Sequence, residues 1–188
     1  MDQRTVIVLV VAVIVIAAIA LLGWLYSRQR RSQRLRQQFG PEYERVLRQT
    51  GDQRKAEGVL EFRTQRREKL HIRRLDPTQR VAFADRWTAV QSRFVDDPNG
   101  ALTDADLLIN EVMAARGYPM SDFEQRASDV SVDHPVVVEN YRAAHGIAAR
   151  RVNGEASTED LRRAMVHYRA LFEDLLEPQS DTRKEKMA

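Results

Sequence analysis

Histidine is the side chain best suited to moving protons near neutral pH and to holding a metal. The chain has four: His71, His134, His145 and His167. A helical metal site needs ligands three or four residues apart on one face. None of the four stands in a His-Glu-x-x-His arrangement. His145 and His167 each lie near an inward tyrosine, Tyr141 and Tyr168, so two neighbouring helices would bring them together as a metal or proton-switch site. The competing reading makes them structural histidines with ordinary partners. Carboxylates recur at Asp96, Asp97, Asp104, Asp106, Glu111, Asp122, Glu124, Asp129 and Asp133. Most fall where helices are expected to start, and capping accounts for them without a cation. The chain has no EF-hand spacing, phosphate loop, dinucleotide glycine motif or Gly-x-Ser-x-Gly elbow. It has no cysteine either, which excludes disulfides, thiolate zinc and a cysteine nucleophile. The expectation is a protein that is not an enzyme, with no catalytic, cofactor-binding or metal-binding residue and no cofactor.

What the polar residues do show is an uneven distribution of charge. The formal net charge is +3, yet residues 27–80 hold 16 Arg and Lys against 7 Asp and Glu, a net of +9, and residues 81–188 carry a net of −6. The basic half begins with Arg28, Arg30, Arg31, Arg34 and Arg36 within ten residues. Clustered arginines favour anionic surfaces, each contributing about 1 kcal/mol close to a charged bilayer. A plainer reading makes them a stop-transfer and topology signal. The patch beside the apolar run lacks interleaved aromatic residues and matches no DNA-reading motif, so nucleic acid is not expected as a partner.

Immediately before the arginines lies Val6–Tyr26, VIVLVVAVIVIAAIALLGWLY, without a charged residue. As a helix rising about 1.5 Å per residue it extends roughly 31 Å, the hydrocarbon thickness of a bilayer. A cleaved signal peptide is the rival reading, with Ala18-Ile19-Ala20 as the cut. The short tail MDQRT offers almost no basic n-region, and the apolar run continues past that site to Leu25. A retained transmembrane helix is expected. The positive-inside rule then leaves the N-terminus outside and places the body in the cytoplasm. Trp24 and Tyr26 occupy the arginine-rich end, where amphipathic rings favour the headgroup layer.

Beyond the run, residue spacing is helical throughout, with no alternating strand pattern. Residues 27–75 read as a basic juxtamembrane helical stalk: Gly40-Pro41 breaks it, Gly51 stops the next helix, and Asp52 caps a third that runs to about His71. Residues 76–177 read as a compact bundle. Asp76-Pro77 and Asp97-Pro98 each start a helix. Phe83, Trp87, Val90 and Phe94 form an aromatic face expected to be the densest part of the core. Leu102, Ala105, Ile109, Val112 and Met113 form the next face, ending at Gly117. Ser121 and Glu124 have capping-box spacing for a short helix to about Val130. Asp133 is expected to start another helix with Val137, Val138, Tyr141, Ala144 and Ala148 inward. Ser157 starts the last, with Leu161, Ala164, Met165, Tyr168, Leu171, Phe172 and Leu175 inward. Tyr118, Met120 and Phe123 suggest an exposed apolar elbow, and residues 178–188 read as a disordered tail. The expected fold is therefore all-α: an N-terminal transmembrane helix (residues 1–26 with its tail), a basic helical stalk, then a multi-helix bundle.

The segments Phe39–Tyr43, Phe94–Pro98, Asp122–Ala127 and Val138–His145 resemble a group of bacterial proteins in which one N-terminal span precedes a charged helical domain. That resemblance implies the same architecture and adds no catalytic residue. Together these readings lead to a single-pass membrane protein whose partners are the lipid bilayer, its anionic headgroups and another protein, with the bundle as an interaction or scaffold module. The alternatives are a ligand- or metal-responsive helical sensor and an exported, periplasm-facing anchored domain.

Overall fold

The computed structural model describes residues 3–177, with side chains from residue 14 onward. The described chain is all-α and folds as eight helices: α1 (Gln3–Phe39), α2 (Pro41–Thr50), α3 (Gln53–Glu68), α4 (Pro77–Arg93), α5 (Pro98–Arg116), α6 (Phe123–Asp133), α7 (Val138–Val152) and α8 (Thr158–Leu176). Their ends follow local chemistry. Asp52 and Asp97 accept hydrogen bonds from Lys55 N and Gly100 N, and Asp76–Gln79 and Ser157–Asp160 form reciprocal capping boxes. Pro41, Pro77 and Pro98 occupy first turns, where no amide donor is needed.

Two apolar cores result. The larger is built from α4, α5, α7 and α8, with α8 lying against both α5 and α7. All seven inward residues expected on α8 are buried, as are all five on α5. Burying each large side chain contributes about 1.5–3 kcal/mol before conformational costs. The smaller core joins Leu35 and Phe39 of α1, Tyr43 and Val46 of α2, Ala56 and Leu60 of α3, and Val132 of α6. Residues 35–60 therefore close on Val132 of α6 through a separate core, while Ile72 and Leu75 join the larger one.

Several expectations are corrected. The aromatic face of α4 is not the densest core: only Trp87 and Val90 are buried, because α4 is an outer helix packed chiefly on α5. Trp87 stacks on Phe172 of α8 with ring centroids 4.6 Å apart. The third helix stops at Glu68 rather than near His71, and the following segment hooks onto the end of α5. Arg73 N donates to Arg116 O and Arg73 Nε to Ala115 O, each at 2.8 Å. Gly117 permits that close approach: its φ is +93°, and a Cβ there would lie 2.5 Å from the His71 carbonyl oxygen. The cap of α6 is Asp122, accepting from Gln125 N, rather than Ser121. Asp133 ends α6 instead of starting α7, since its carboxylate is occupied by Arg67 and Tyr118. The Tyr118–Phe123 elbow is not an exposed patch: Tyr118 is buried, Phe123 packs against the core, and only Met120 stands out.

Among the described residues, no helix is long and apolar enough to cross a membrane. The span expected over Val6–Tyr26 falls partly on residues 6–13, whose side chains lie outside the description, as does the tail expected over residues 178–188.

Candidate functional site: the arginine collar and buried ion-pair clusters

The residues singled out beside the apolar run all lie on α1. Arg28 sits over the Trp24 ring at 5.7 Å and Arg30 over the Tyr26 ring at 4.5 Å, cation–π distances that hold the guanidiniums at the aromatic end of the run. Arg31 pairs with Glu61 of α3. Arg36 lies over the Tyr43 ring at 5.0 Å, and Arg34 is exposed. The collar is thus five arginines on one helix, three lying over aromatic rings and one tied to α3.

A polar seam underlies it. Tyr43 donates to Glu57 Oε1 at 3.2 Å, Gln53 Nε2 donates to the same oxygen at 2.8 Å and to Ser32 Oγ at 3.1 Å. Burial alone would push the Glu57 carboxyl up, but bonds from Gln53, Ser32 and Tyr43 outweigh it and hold the group below the usual carboxylate range.

The most concentrated charge lies deeper. Glu42, in the first turn of α2, is fully buried. Arg142 of α7 grips it bidentately at 2.8 and 3.0 Å, and Arg63 of α3 donates to it at 2.6 Å. Arg45 approaches at 3.6 Å and also contacts Glu139. One carboxylate therefore ties three helices together, across 100 residues in the case of Arg142. Alongside, Arg66 bonds Asp129 and Arg67 bonds Asp133, both on α6. The inward arginines of α3 are neutralised by carboxylates.

A second cluster lies where α5, α6 and α8 end. Arg116 is 1% exposed; its Nη1 donates to Leu175 O at 3.0 Å and approaches His134 Nε2 at 3.1 Å, and His134 Nδ1 meets Asp174. A guanidinium can only donate, so Nε2 accepts and the proton resides on Nδ1, facing Asp174. An aspartate-oriented histidine is half of a hydrolytic triad, but here its other nitrogen faces a cation instead of a nucleophile. The arrangement holds helix ends together. A cleft of about 160 Å³ beside it is lined by Leu75, Arg80, Arg116, Leu175 and Leu176, among others.

The remaining histidines are engaged separately. His145 stacks on Phe123 at 3.6 Å and 8°, His167 Nδ1 bonds Asn140 Oδ1 at 2.9 Å, and His71 is exposed. Among the described residues no group of three His, Cys, Asp or Glu is placed to hold a metal ion. Tyr141 and Tyr168 are core residues whose hydroxyls burial pushes up.

Glu42, Arg142 and Arg116 were not singled out from the sequence, although a signal existed. The buried stripe of α5 runs Ile109, Val112, Met113 and then Arg116, and that of the α1–α2 joint runs Phe39, Glu42, Tyr43, Val46. A charge continuing an apolar stripe marks a buried ion pair. Compared with known proteins, the chain is matched by no family model, no curated protein and no solved structure.

Proposed function

We propose that the protein is a single-pass, membrane-anchored, non-enzymatic interaction module whose helical body faces the cytoplasm. One observation carries the anchor: the side chains of α1 from Ile14 to Leu25 are covered by none of the described residues. Ile14, Ile16, Ile19 and Leu22 are 60–66% exposed, and Val15, Leu21, Trp24 and Leu25 are likewise exposed. An apolar surface that long is not left to water in a stable monomer; bilayer lipid is the solvent that suits it. The arginine collar behind it supports an inward-facing body, with Trp24 and Tyr26 at the interface and the collar on anionic headgroups. The bundle's polar clusters bind its own helices together and offer no reacting group, which supports a module that acts by binding another protein.

The absence of native cysteine makes a direct test clean. Val95 is 82% exposed, so a Val95→Cys chain carries one accessible thiol. The chain is expected to stay in membranes washed with alkaline carbonate, and the thiol to react with a membrane-impermeant maleimide only after cells are permeabilised. Release by carbonate would overturn the anchor. Labelling in intact cells would overturn the orientation in favour of an exported body. Crosslinking in the native membrane should recover a protein partner that depends on residues 76–176; none recovered would end the interaction reading.

A further inference from the structure

Helix α3 carries one set of cations paired to carboxylates and another left unpaired. Arg63, Arg66 and Arg67 turn inward to Glu42, Asp129 and Asp133. Arg54, Lys55 and Lys69 are exposed, and no carboxylate among the described residues pairs with them. Between them stands Phe62, 65% exposed, the largest apolar side chain left uncovered outside α1. At about 100° per residue Phe62 points roughly opposite Leu60, which is in the core, and Glu68 lies about 120° away from it. The face thus has one aromatic ring with Lys55 and Lys69 within about 20° of it and Arg54 about 80° away, bordered at about 100° by Glu61, which Arg31 pairs, and at about 120° by Glu68.

The direction of this face follows from how α3 meets α1. Gln53 and Glu61 are eight residues apart, about 12 Å along α3. They nevertheless bond to consecutive residues of α1, Ser32 and Arg31. Helix α3 therefore crosses α1 instead of running along it. Its buried face packs on Phe39, Tyr43 and Val46, all further down the chain than the crossing. The opposite face, with Phe62, points away from that core, which lies beyond the crossing from Tyr26 and the apolar run. The crossing lies five residues past Tyr26, about 8 Å, which is close to the depth of a headgroup layer.

We propose that the outer face of α3 is a second membrane contact, lying on the anionic headgroup surface with Phe62 inserted and Arg54, Lys55 and Lys69 against lipid phosphates. This rests on the anchor reading: one helix fixes depth, and the crossing helix fixes the tilt of the body on the bilayer. Short cationic helices with a single aromatic ring bind weakly alone. Tethered by α1, the same face meets the headgroups at a high effective concentration, so a weak affinity of its own suffices.

The test uses the full chain in phosphatidylcholine vesicles with and without phosphatidylglycerol, carrying an environment-sensitive fluorophore on one introduced cysteine. Ile14→Cys reports the anchor, Phe62→Cys the α3 face, and Val95→Cys the distal body. The label at 62 is expected to shift to the blue and to be quenched by headgroup-level spin-labelled lipid when phosphatidylglycerol is present, while the label at 95 stays aqueous. Adding Arg54→Gln, Lys55→Gln and Lys69→Gln should reduce that quenching severalfold with helix content unchanged. An aqueous label at 62 with a lipid-buried label at 14 would overturn this inference and leave the anchor standing. An aqueous label at 14 would overturn both. A blue shift at 62 already present in neutral detergent would indicate a protein contact, a second copy included, and would overturn it too. Quenching untouched by the three glutamines would overturn the role given to the cations.

Discussion

A fully buried carboxylate persists only if its surroundings replace the water it gave up, and Glu42 does so with guanidiniums from α3 and α7. The cluster is consequently asymmetric under mutation. Glu42→Gln leaves buried cations facing a neutral amide, and the expected loss is about 3–5 kcal/mol, the usual cost of breaking a buried ion pair from one side. Replacing Glu42 and Arg142 together by leucine should cost less than the sum of the single changes, because the Arg142 guanidinium is then not left facing a missing carboxylate, although Arg63 still loses its partner. Urea unfolding of the detergent-solubilised chain measures both; additive losses would show that the pair is not coupled. Glu57 behaves differently because its donors are neutral. Three hydrogen bonds hold its carboxyl below the ordinary range, so its contribution is present above a pH of about 4.3 and disappears as pH falls through the lower folded value. At pH 7, Glu57→Gln is expected to lower stability by about 1–2 kcal/mol. The gap between the two proteins should close as pH drops below the carboxylate range. A gap that widened in acid would show the opposite shift.

At the level of the helices, what was legible in the sequence is what short-range chemistry decides. Asp52, Asp76, Asp97 and Ser157 each cap the helix they precede, since cap and amide lie three residues apart whatever else the chain does. The inward faces of α5 and α8 follow from 3.6-residue spacing. The boundary between α6 and α7 is not legible locally, because Asp133 resembles a helix start in isolation while Arg67 takes its carboxylate from 66 residues away. The same holds for the arginines: residues 63–67 look like a solvated basic patch until α2 and α6 supply their partners. His134 is the clearest case. Read as a residue at a helix start, it is the C-cap of α6, buried between Arg116 and Asp174, whose positions on α5 and α8 no local pattern connects to it.

For the whole molecule, the division of labour along α1 has a consequence for stability. Its last turns supply Leu35 and Phe39 to the smaller core, so they cannot be removed without opening the contact with α2, α3 and α6. The stretch from Ile14 to Tyr26 supplies nothing to either core. Deleting residues 1–26 should therefore leave the remaining helices folded. The shortened chain is expected to keep its helical signal and to melt within a few degrees of the detergent-solubilised full chain, while staying dispersed in buffer where the full chain aggregates. A buried core helix would give the reverse result, since exposing its partners' apolar surface costs about 25 cal/mol per Å². Circular dichroism melts and sedimentation of the two chains decide between them. Unfolding of the shortened chain would mean that residues 1–26 belong to the fold, and the anchor would have to be given up.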